Sequence, residues 1–234
     1  MISLRKSDAR GHFDWGWLDT RHSFSFGDYY DPQYMGWSDL RVINEDIVAP
    51  GTGFPTHGHK DMEIITYVID GEIEHKDSTG TAARIAKGEI QRMSAGTGIR
   101  HSEYNASSSA PLHLLQIWVH PESQGIAPGY EQVDLSRSPD AQEPVRLIGS
   151  REGGAGQVKI HQDLNLYSGL LMAGQTGHVW LGEKRKAWVQ IVSGAVNVNG
   201  VHATAGDGVA VSEHQELVFV GDSDAEFLVF DLRG

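Results

Sequence analysis

Cysteine is absent from the 234-residue chain, and so is any long run of apolar residues. Without cysteine the protein can form neither a disulfide nor a zinc–thiolate site. No apolar run approaches the roughly 20 residues that a transmembrane helix needs. Residues 1–6 lack the apolar core of a signal peptide. These absences lead us to expect a soluble, cytoplasmic protein.

Basic side chains are also scarce, because 19 lysines and arginines face 31 aspartates and glutamates and leave a formal net charge of −12. The compact basic run Lys184-Arg185-Lys186 is flanked by Glu183, and we interpret it as a solvated turn. Neutralising phosphate groups dominates the affinity of proteins for nucleic acids. The charge balance therefore argues against direct nucleic-acid binding.

Glycine is abundant, with 28 residues, and short β-patterned segments recur between glycine-containing turns. Residues 22–26 alternate large and small side chains with a period of two, and residues 64–69 are β-branched or aromatic and end at Asp70-Gly71. Asn199-Gly200 is a typical type I′ hairpin turn. Several short strands at spacings of roughly 8–12 residues are typical of an all-β sandwich or barrel.

The same strand pattern occurs twice, on either side of a segment rich in proline and glycine. We therefore place an N-terminal domain at residues 1–133, a linker at residues 134–156 and a C-terminal domain at residues 157–234. Where the first unit is rich in metal-ligating side chains, the second offers Ala187 and Gln190. We expect the second unit to bind no metal.

Two pairs of potential metal ligands lie about 40 residues apart in the first unit. His57 and His59 are separated by one residue, and so are His101 and Glu103. Side chains at positions i and i+2 of a strand point to the same face. On neighbouring strands, the two pairs would direct three imidazoles and one carboxylate to a single point, a donor set that suits a divalent transition metal.

Two other side chains close to this set in the sequence could also be metal ligands. Glu63 is the rival carboxylate, but a straight strand would carry it about 13 Å beyond His59, so we predict that it orients a ligand histidine or remains an exposed charge. His75 alternates with Glu74 and Lys76 in a hairpin. We predict that His75 is structural or exposed.

The stretches around the ligand pairs resemble the two cupin sequence motifs. Residues 51–71 match the first motif, although Ile64 stands where a glutamate ligand is usual and Glu63 lies one place early. Residues 88–105 match the second motif, with two extra residues before His101. With these departures, and with His-Ser-Phe-Ser-Phe-Gly-Asp-Tyr-Tyr-Asp-Pro at residues 22–32, the chain resembles the pirin family, above all bacterial pirin-like proteins assigned quercetin 2,3-dioxygenase activity.

The resemblance covers nearly the whole chain and implies an all-β fold of two facing antiparallel cupin (jelly-roll) barrels, a bicupin. It implies one metal, in the N-terminal barrel. Carried over by position, the ligands are His57, His59, His101 and Glu103, the same four residues that strand alternation selects. Such a set accepts Fe, Mn, Co, Ni, Cu or Zn, so the sequence predicts one divalent transition metal without naming it.

The implied activity is a metal-dependent dioxygenase that cleaves flavonols such as quercetin with O2 and releases carbon monoxide. Glu103 would serve as a ligand and as the base that accepts the hydroxyl proton. We predict a pocket for a flat polyphenol with apolar walls, formed by Phe24, Phe26, Phe54 and Trp118. We expect a monomer that binds this small molecule and O2, and neither a membrane nor nucleic acid.

The resemblance leaves two alternatives open. Pirin-like proteins also include metal-dependent regulators that bind a protein partner, such as a transcription cofactor or redox sensor, without turnover. The third interpretation is a structural cupin with an adventitious metal. Turnover of a flavonol by the metal-loaded protein separates the first interpretation from the other two.

Overall fold

The protein is built almost entirely from β-strands. The computed structural model describes residues 1–234 and contains twenty strands, the 3-10 helices Ser7–Ala9 and Leu135–Arg137, and no α-helix. Neither helix is long or apolar enough to cross a membrane. The strands are β1 Ile2–Arg5, β2 Gly11–Asp14, β3 Leu18–His22, β4 Leu40–Val48, β5 Gly53–Asp70, β6 Glu72–Asp77, β7 Ala82–Ala86, β8 Glu89–Asn105, β9 Leu112–Val119, β10 Gly129–Asp134, β11 Val145–Ser150, β12 Val158–Lys159, β13 Leu164–Leu171, β14 Thr176–Trp180, β15 Arg185–Ser193, β16 Ala195–Val198, β17 Val201–Thr204, β18 Gly208–Ser212, β19 Glu216–Gly221 and β20 Ala225–Arg233.

Nine strands form the N-terminal sheet, in the order β2-β3-β4-β9-β5-β8-β6-β7, with β10 paired to β8. The strands β5 and β8 have 18 and 17 residues, so each can pair with the other and with further strands along its length. β5 also pairs with β9, and β8 also pairs with β6 and β10. The long strands therefore wrap the sheet around a common interior, where side chains such as Ile73, Ile85 and Leu114 are buried.

The C-terminal half consists of a seven-stranded sheet, β1-β18-β15-β20-β13-β11-β12, and a four-stranded sheet, β14-β19-β16-β17. A core of 16 buried apolar residues, including Val189, Phe219 and Phe227, joins the two sheets. The edge strand β1 comes from the opposite end of the chain, since Ile2 pairs with Val211.

The largest apolar cluster, with 22 buried residues, lies between the two halves. Alternation along β5 explains how it forms, because Ile65 and Tyr67 contribute to this cluster while Val68 belongs to the cluster inside the N-terminal barrel. Trp188 and Phe230 belong to the same cluster from the C-terminal half. The two barrels therefore face each other across a shared apolar core.

The alternation of side chains along β5 changes at Asp61. Its backbone has a φ of 65°, which aspartate tolerates better than most residues. At this point the pairing with β8 jumps from His59↔Ile99 to Asp61↔Gly96. Because of this irregularity, two histidines before it and Thr66 after it share one face of the sheet, although their sequence positions differ in parity.

The predicted all-β fold of two facing antiparallel barrels is confirmed. The predicted hairpin at Asn199-Gly200 joins β16 to β17 with positive φ at both residues, 47° and 89°. The domain boundaries remain a prediction. Strand β11, residues Val145–Ser150, lies inside the segment taken as the linker and pairs with β13 of the C-terminal half.

Candidate metal centre

Three imidazoles converge at one end of the N-terminal barrel. His57 on β5 pairs directly with His101 on β8, and their Nε2 atoms are 3.1 Å apart. The ring of His59 is 4.7 Å from that of His57 and 4.9 Å from that of His101. One nitrogen from each of the three rings lies within 4.8 Å of the others.

The hydrogen bonding of His57 makes its inward nitrogen a free electron-pair donor. Nδ1 of His57 lies 2.8 Å from the carbonyl oxygen of Pro55, which can only accept, so Nδ1 carries the proton and Nε2 does not. Two nitrogens bound at about 2.1 Å to one ion are roughly 3.0–3.4 Å apart at angles of 90–110°. The 3.1 Å between Nε2 of His57 and Nε2 of His101 fits such an ion.

The surroundings of His59 and His101 favour the neutral form of both rings. Burial, reinforced by the neighbouring His57, lowers the pKa of His59 to about 4. Burial, together with His57 and His59, lowers the pKa of His101 to about 3. Metal ligation requires unprotonated imidazole, so both rings are ready to bind a metal at neutral pH.

Glu103 lies beside the cluster and is held by two neutral side chains. Its Oε2 accepts a hydrogen bond from Nε2 of Gln116 at 2.8 Å, and its Oε1 accepts one from the hydroxyl of Thr66 at 3.4 Å. One carboxylate oxygen of Glu103, one ring nitrogen of His75 and one ring nitrogen of His101 all lie within 4.8 Å of one another. The structure thus brings three imidazoles together and places the fourth predicted ligand beside His101, in a second group that shares this residue.

Burial, followed by the charge of Asp46, raises the pKa of Glu103 to about 7. A carboxyl whose pKa is raised in the folded state contributes stability that is complete below its unfolded pKa and is lost as the pH rises through 7. The lowered pKa values of the buried histidines change the stability with pH in the opposite direction. The contribution of Glu103 is therefore isolated by comparing the wild type with a variant that lacks this carboxyl. In metal-free protein, Glu103→Gln is expected to gain about 1 kcal/mol relative to the wild type between pH 6 and pH 8.

Urea denaturation of chelator-treated protein at both pH values measures this difference. Glu183→Gln serves as the control, because it makes the same replacement at a carboxylate on an exposed turn of the C-terminal half. A difference between Glu103→Gln and the wild type that is the same at pH 6 and pH 8 would contradict the raised pKa.

A cavity of about 360 Å³ opens onto His57, His59 and Glu103. This volume lies within the usual range for small-molecule sites. The cavity lining includes the aromatic residues Phe26, Phe54 and Trp118 and the polar residues Asn44, Asp46 and Gln116. Oδ1 of Asn44 is buried and has no hydrogen-bond partner.

Three of the four predicted wall residues line this cavity, and Phe24 does not. Phe24 is 1% exposed and packs on Trp188, with ring centres 4.7 Å apart, in the core between the halves. Alternation along its segment gave it the same face as Phe26, but the segment bends at an irregular turn and separates the two rings. His22 is also buried, and it packs between Phe13 and Phe26.

Both predictions for Glu63 are wrong, because it is fully buried and its histidine partner is His161, which is not one of the three clustered histidines. Its Oε2 accepts hydrogen bonds from the backbone N–H of His161 at 3.1 Å and from Nδ1 of the same residue at 3.0 Å. Oε2 also lies 4.0 Å from Nε of Arg92. The change of alternation at Asp61 turns Glu63 away from the barrel interior and towards the C-terminal half.

His75 is completely buried, so the prediction of an exposed position is wrong. Its ring centre lies 5.3 Å from that of His101, and its Nε2 lies 2.9 Å from Oδ2 of Asp77. The sequence held a sign of this, since Ile73, His75 and Asp77 alternate with charged residues as one face of a strand does.

Comparison with known proteins gives matches over almost the entire chain. A family model described as Pirin matches residues 3–119, and one described as Quercetinase C-terminal cupin domain matches residues 147–232. A protein of Escherichia coli K12 named quercetin 2,3-dioxygenase is 50% identical over 99% of both chains. A Pasteurella multocida protein named putative quercetin 2,3-dioxygenase is 44% identical over 99% of this chain and 100% of its own.

Among solved structures, the bacterial pirin YhhW from Escherichia coli in complex with nickel(II) superposes with a TM-score of 0.93. It is 48% identical, and the match covers 100% of this chain and 99% of that one. The fold seen here is therefore that of a protein crystallised with a transition metal.

Proposed function

The chain belongs to the pirin family, and from this premise we propose that it is a metal-dependent dioxygenase that cleaves flavonols such as quercetin with O2 and releases carbon monoxide. The observation that carries the proposal is the aromatic-walled cavity that opens directly onto the histidine cluster. The names of relatives at 50% and 44% identity support a dioxygenase over a regulator without turnover.

We propose that His57, His59, His101 and Glu103 hold one divalent metal. When bound, the metal supplies Lewis acidity, which lowers the pKa of a coordinated hydroxyl group. Three neutral imidazoles and one carboxylate suit this role, and they leave room for further ligands on an ion that accepts five or six. The nickel in the related pirin supports a transition metal, while the donor set here accepts several.

Glu103 is the proposed base for the substrate hydroxyl. A base works best when its pKa is close to the working pH, and burial with the nearby Asp46 raises the pKa of Glu103 to about 7. Gln116 and Thr66 hold the carboxylate by hydrogen bonds, so it does not have to be oriented during the reaction.

The cavity walls would orient and shield the flat substrate. Phe26 and Trp118 pack edge to face, with ring centres 5.2 Å apart, and Trp118 packs in the same way on His59 at 4.9 Å. This aromatic wall would give the substrate an apolar surface beside the histidines. All the lining residues come from the N-terminal barrel, and we propose that the protein acts as a monomer.

Aerobic incubation of the metal-loaded protein with quercetin tests the proposal. We expect the flavonol absorbance to fall and carbon monoxide to appear in the gas phase, with both lost after chelation and restored by adding metal. Glu103→Gln should retain the fold and lose most of the rate, because the base is gone. A metal-loaded protein that leaves quercetin unchanged would be a regulator or a structural cupin, and the proposal would fail.

A further inference from the structure

A second pair of buried polar side chains lies directly behind the histidine cluster, on β6. His75 and Asp77 are separated by one residue and therefore share a face. In the pairing of β6 with β8, Asp77 lies opposite His101 and His75 lies opposite Glu103. Both side chains are 0% exposed, so bulk water does not form hydrogen bonds with them.

Asp77 is fixed by its own turn. Its Oδ1 accepts hydrogen bonds from the backbone N–H and the hydroxyl of Thr79, at 2.8 and 2.6 Å, and from the backbone N–H of Thr81 at 3.2 Å. The other oxygen, Oδ2, lies 2.9 Å from Nε2 of His75. A carboxylate held by three donors acts as an acceptor, so His75 donates its Nε2–H and keeps a lone pair on Nδ1.

The lone pair on Nδ1 of His75 has no hydrogen-bond partner, and neither has Nδ1 of the neighbouring His101. Nδ1 of His75 and Nδ1 of His101 are both buried without any hydrogen bond. Nε2 of His101 faces His57, so Nδ1 is the nitrogen left to carry its proton when the ring binds a metal through Nε2. One nitrogen therefore needs an acceptor, and the other is an acceptor without a donor.

The two rings are close enough to satisfy each other. Their centres are 5.3 Å apart with an angle of 50° between the planes, so a nitrogen–nitrogen contact of roughly 3 Å forms when both nitrogens lie on the line between the centres. Tyr130 packs on the ring of His75 with centres 4.9 Å apart and limits its other movements. Unpaired buried polar atoms are rare in native proteins and call for such a partner or an ordered water.

We propose that His75 and Asp77 are positioning residues of the metal centre: Nδ1 of His75 accepts the Nδ1–H of His101, directly or through one water, while Asp77 fixes the ring of His75. Metal-binding histidines commonly donate their second N–H to a carboxylate, which orients the ring and raises its basicity. Here a second imidazole is inserted between the ligand and the carboxylate. This inference rests on the metal centre of the proposed function and not on the flavonol as its substrate.

Nickel(II) affinity of the full-length protein tests the proposal, measured by titration against a competing chelator after all metal has been removed. His75→Phe keeps a ring of similar size but has no acceptor, and we expect it to bind nickel(II) roughly 10–100-fold more weakly. His75→Gln retains an acceptor and should recover part of this loss. Asp77→Asn should weaken binding as well, and it serves if His75→Phe does not fold.

His113→Phe is the matched control. His113 pairs with Glu45 in the same barrel, with Nε2 and Oε1 also 2.9 Å apart, but away from the cluster. We expect its nickel(II) affinity to equal that of the wild type. In copper(II)-loaded protein, pulsed electron paramagnetic resonance detects the uncoordinated nitrogen of a bound imidazole, and its signal should change in His75→Phe and not in His113→Phe.

Wild-type affinity together with an unchanged imidazole signal in folded His75→Phe, or in Asp77→Asn if only that variant folds, would overturn the proposal. A loss of affinity in a protein that does not turn over quercetin would support the positioning role and reject only the flavonol. The two failures are thus distinguishable.

Discussion

Replacing His101 by alanine is expected to reduce flavonol turnover to the uncatalysed rate and to weaken metal binding by more than any other single change. His101 is the central residue of the site, since it is common to both groups of clustered ligand atoms and pairs with His57 on one side and Asp77 on the other. Losing an outer partner of a ligand already costs roughly 10–100-fold in affinity. Loss of the ligand itself should exceed that.

Metal content after dialysis and quercetin turnover measure the effect of His101→Ala. His178→Ala is the control, because His178 lies in the C-terminal half and pairs with Glu216 on the surface. It should bind metal and turn over substrate as the wild type does. Full metal content and activity in His101→Ala would show that the three imidazoles are not the metal centre.

The largest effect on stability is expected from Trp188→Ala, which should lower the free energy of unfolding by about 3–5 kcal/mol. Trp188 is 1% exposed in the cluster between the halves, where its ring packs on Phe24. Its Nε1–H donates to Oε1 of Gln190 at 3.3 Å, which also accepts from the hydroxyl of Ser23. The substitution therefore opens a cavity between the barrels and weakens a polar contact that joins them.

Thermal and urea denaturation measure this loss, which corresponds to a fall of roughly 10 °C in the melting temperature. Trp180→Ala is the control, since Trp180 is also in the C-terminal half but is 69% exposed. We expect one transition for both proteins, because the halves share their largest core. Separate transitions, with only one of them moved by Trp188→Ala, would contradict a shared core.

The two pairs of proposed ligands could be proposed from the sequence because each pair depends on a local rule. Strand alternation places His57 with His59, and His101 with Glu103, whatever the rest of the fold does. That His57 lies directly opposite His101 could not be predicted, since the register depends on an irregularity in β5 between Phe54 and His57.

Glu63 shows where the local rule stops. On a straight strand that continues past His59, Glu63 would lie on the same face as the histidines and would be too far from them to share a metal ion. The left-handed backbone of Asp61 ends that alternation, and the partner of Glu63, His161, is 98 residues away in the sequence. Neither a single residue with a left-handed backbone nor a contact between distant domains leaves a recognisable pattern in the sequence.

The pairing of β1 with β18 has a consequence for the order in which the protein folds during synthesis. The partner of Ile2 is Val211, so the first strand leaves the ribosome about 200 residues before the strand it needs. At 5–20 residues per second, β1 stays unpaired for roughly 10–40 s while the N-terminal barrel is completed. A nascent chain stalled before residue 208 would carry β1 without its partner strand, and this open β-edge would be available to other proteins.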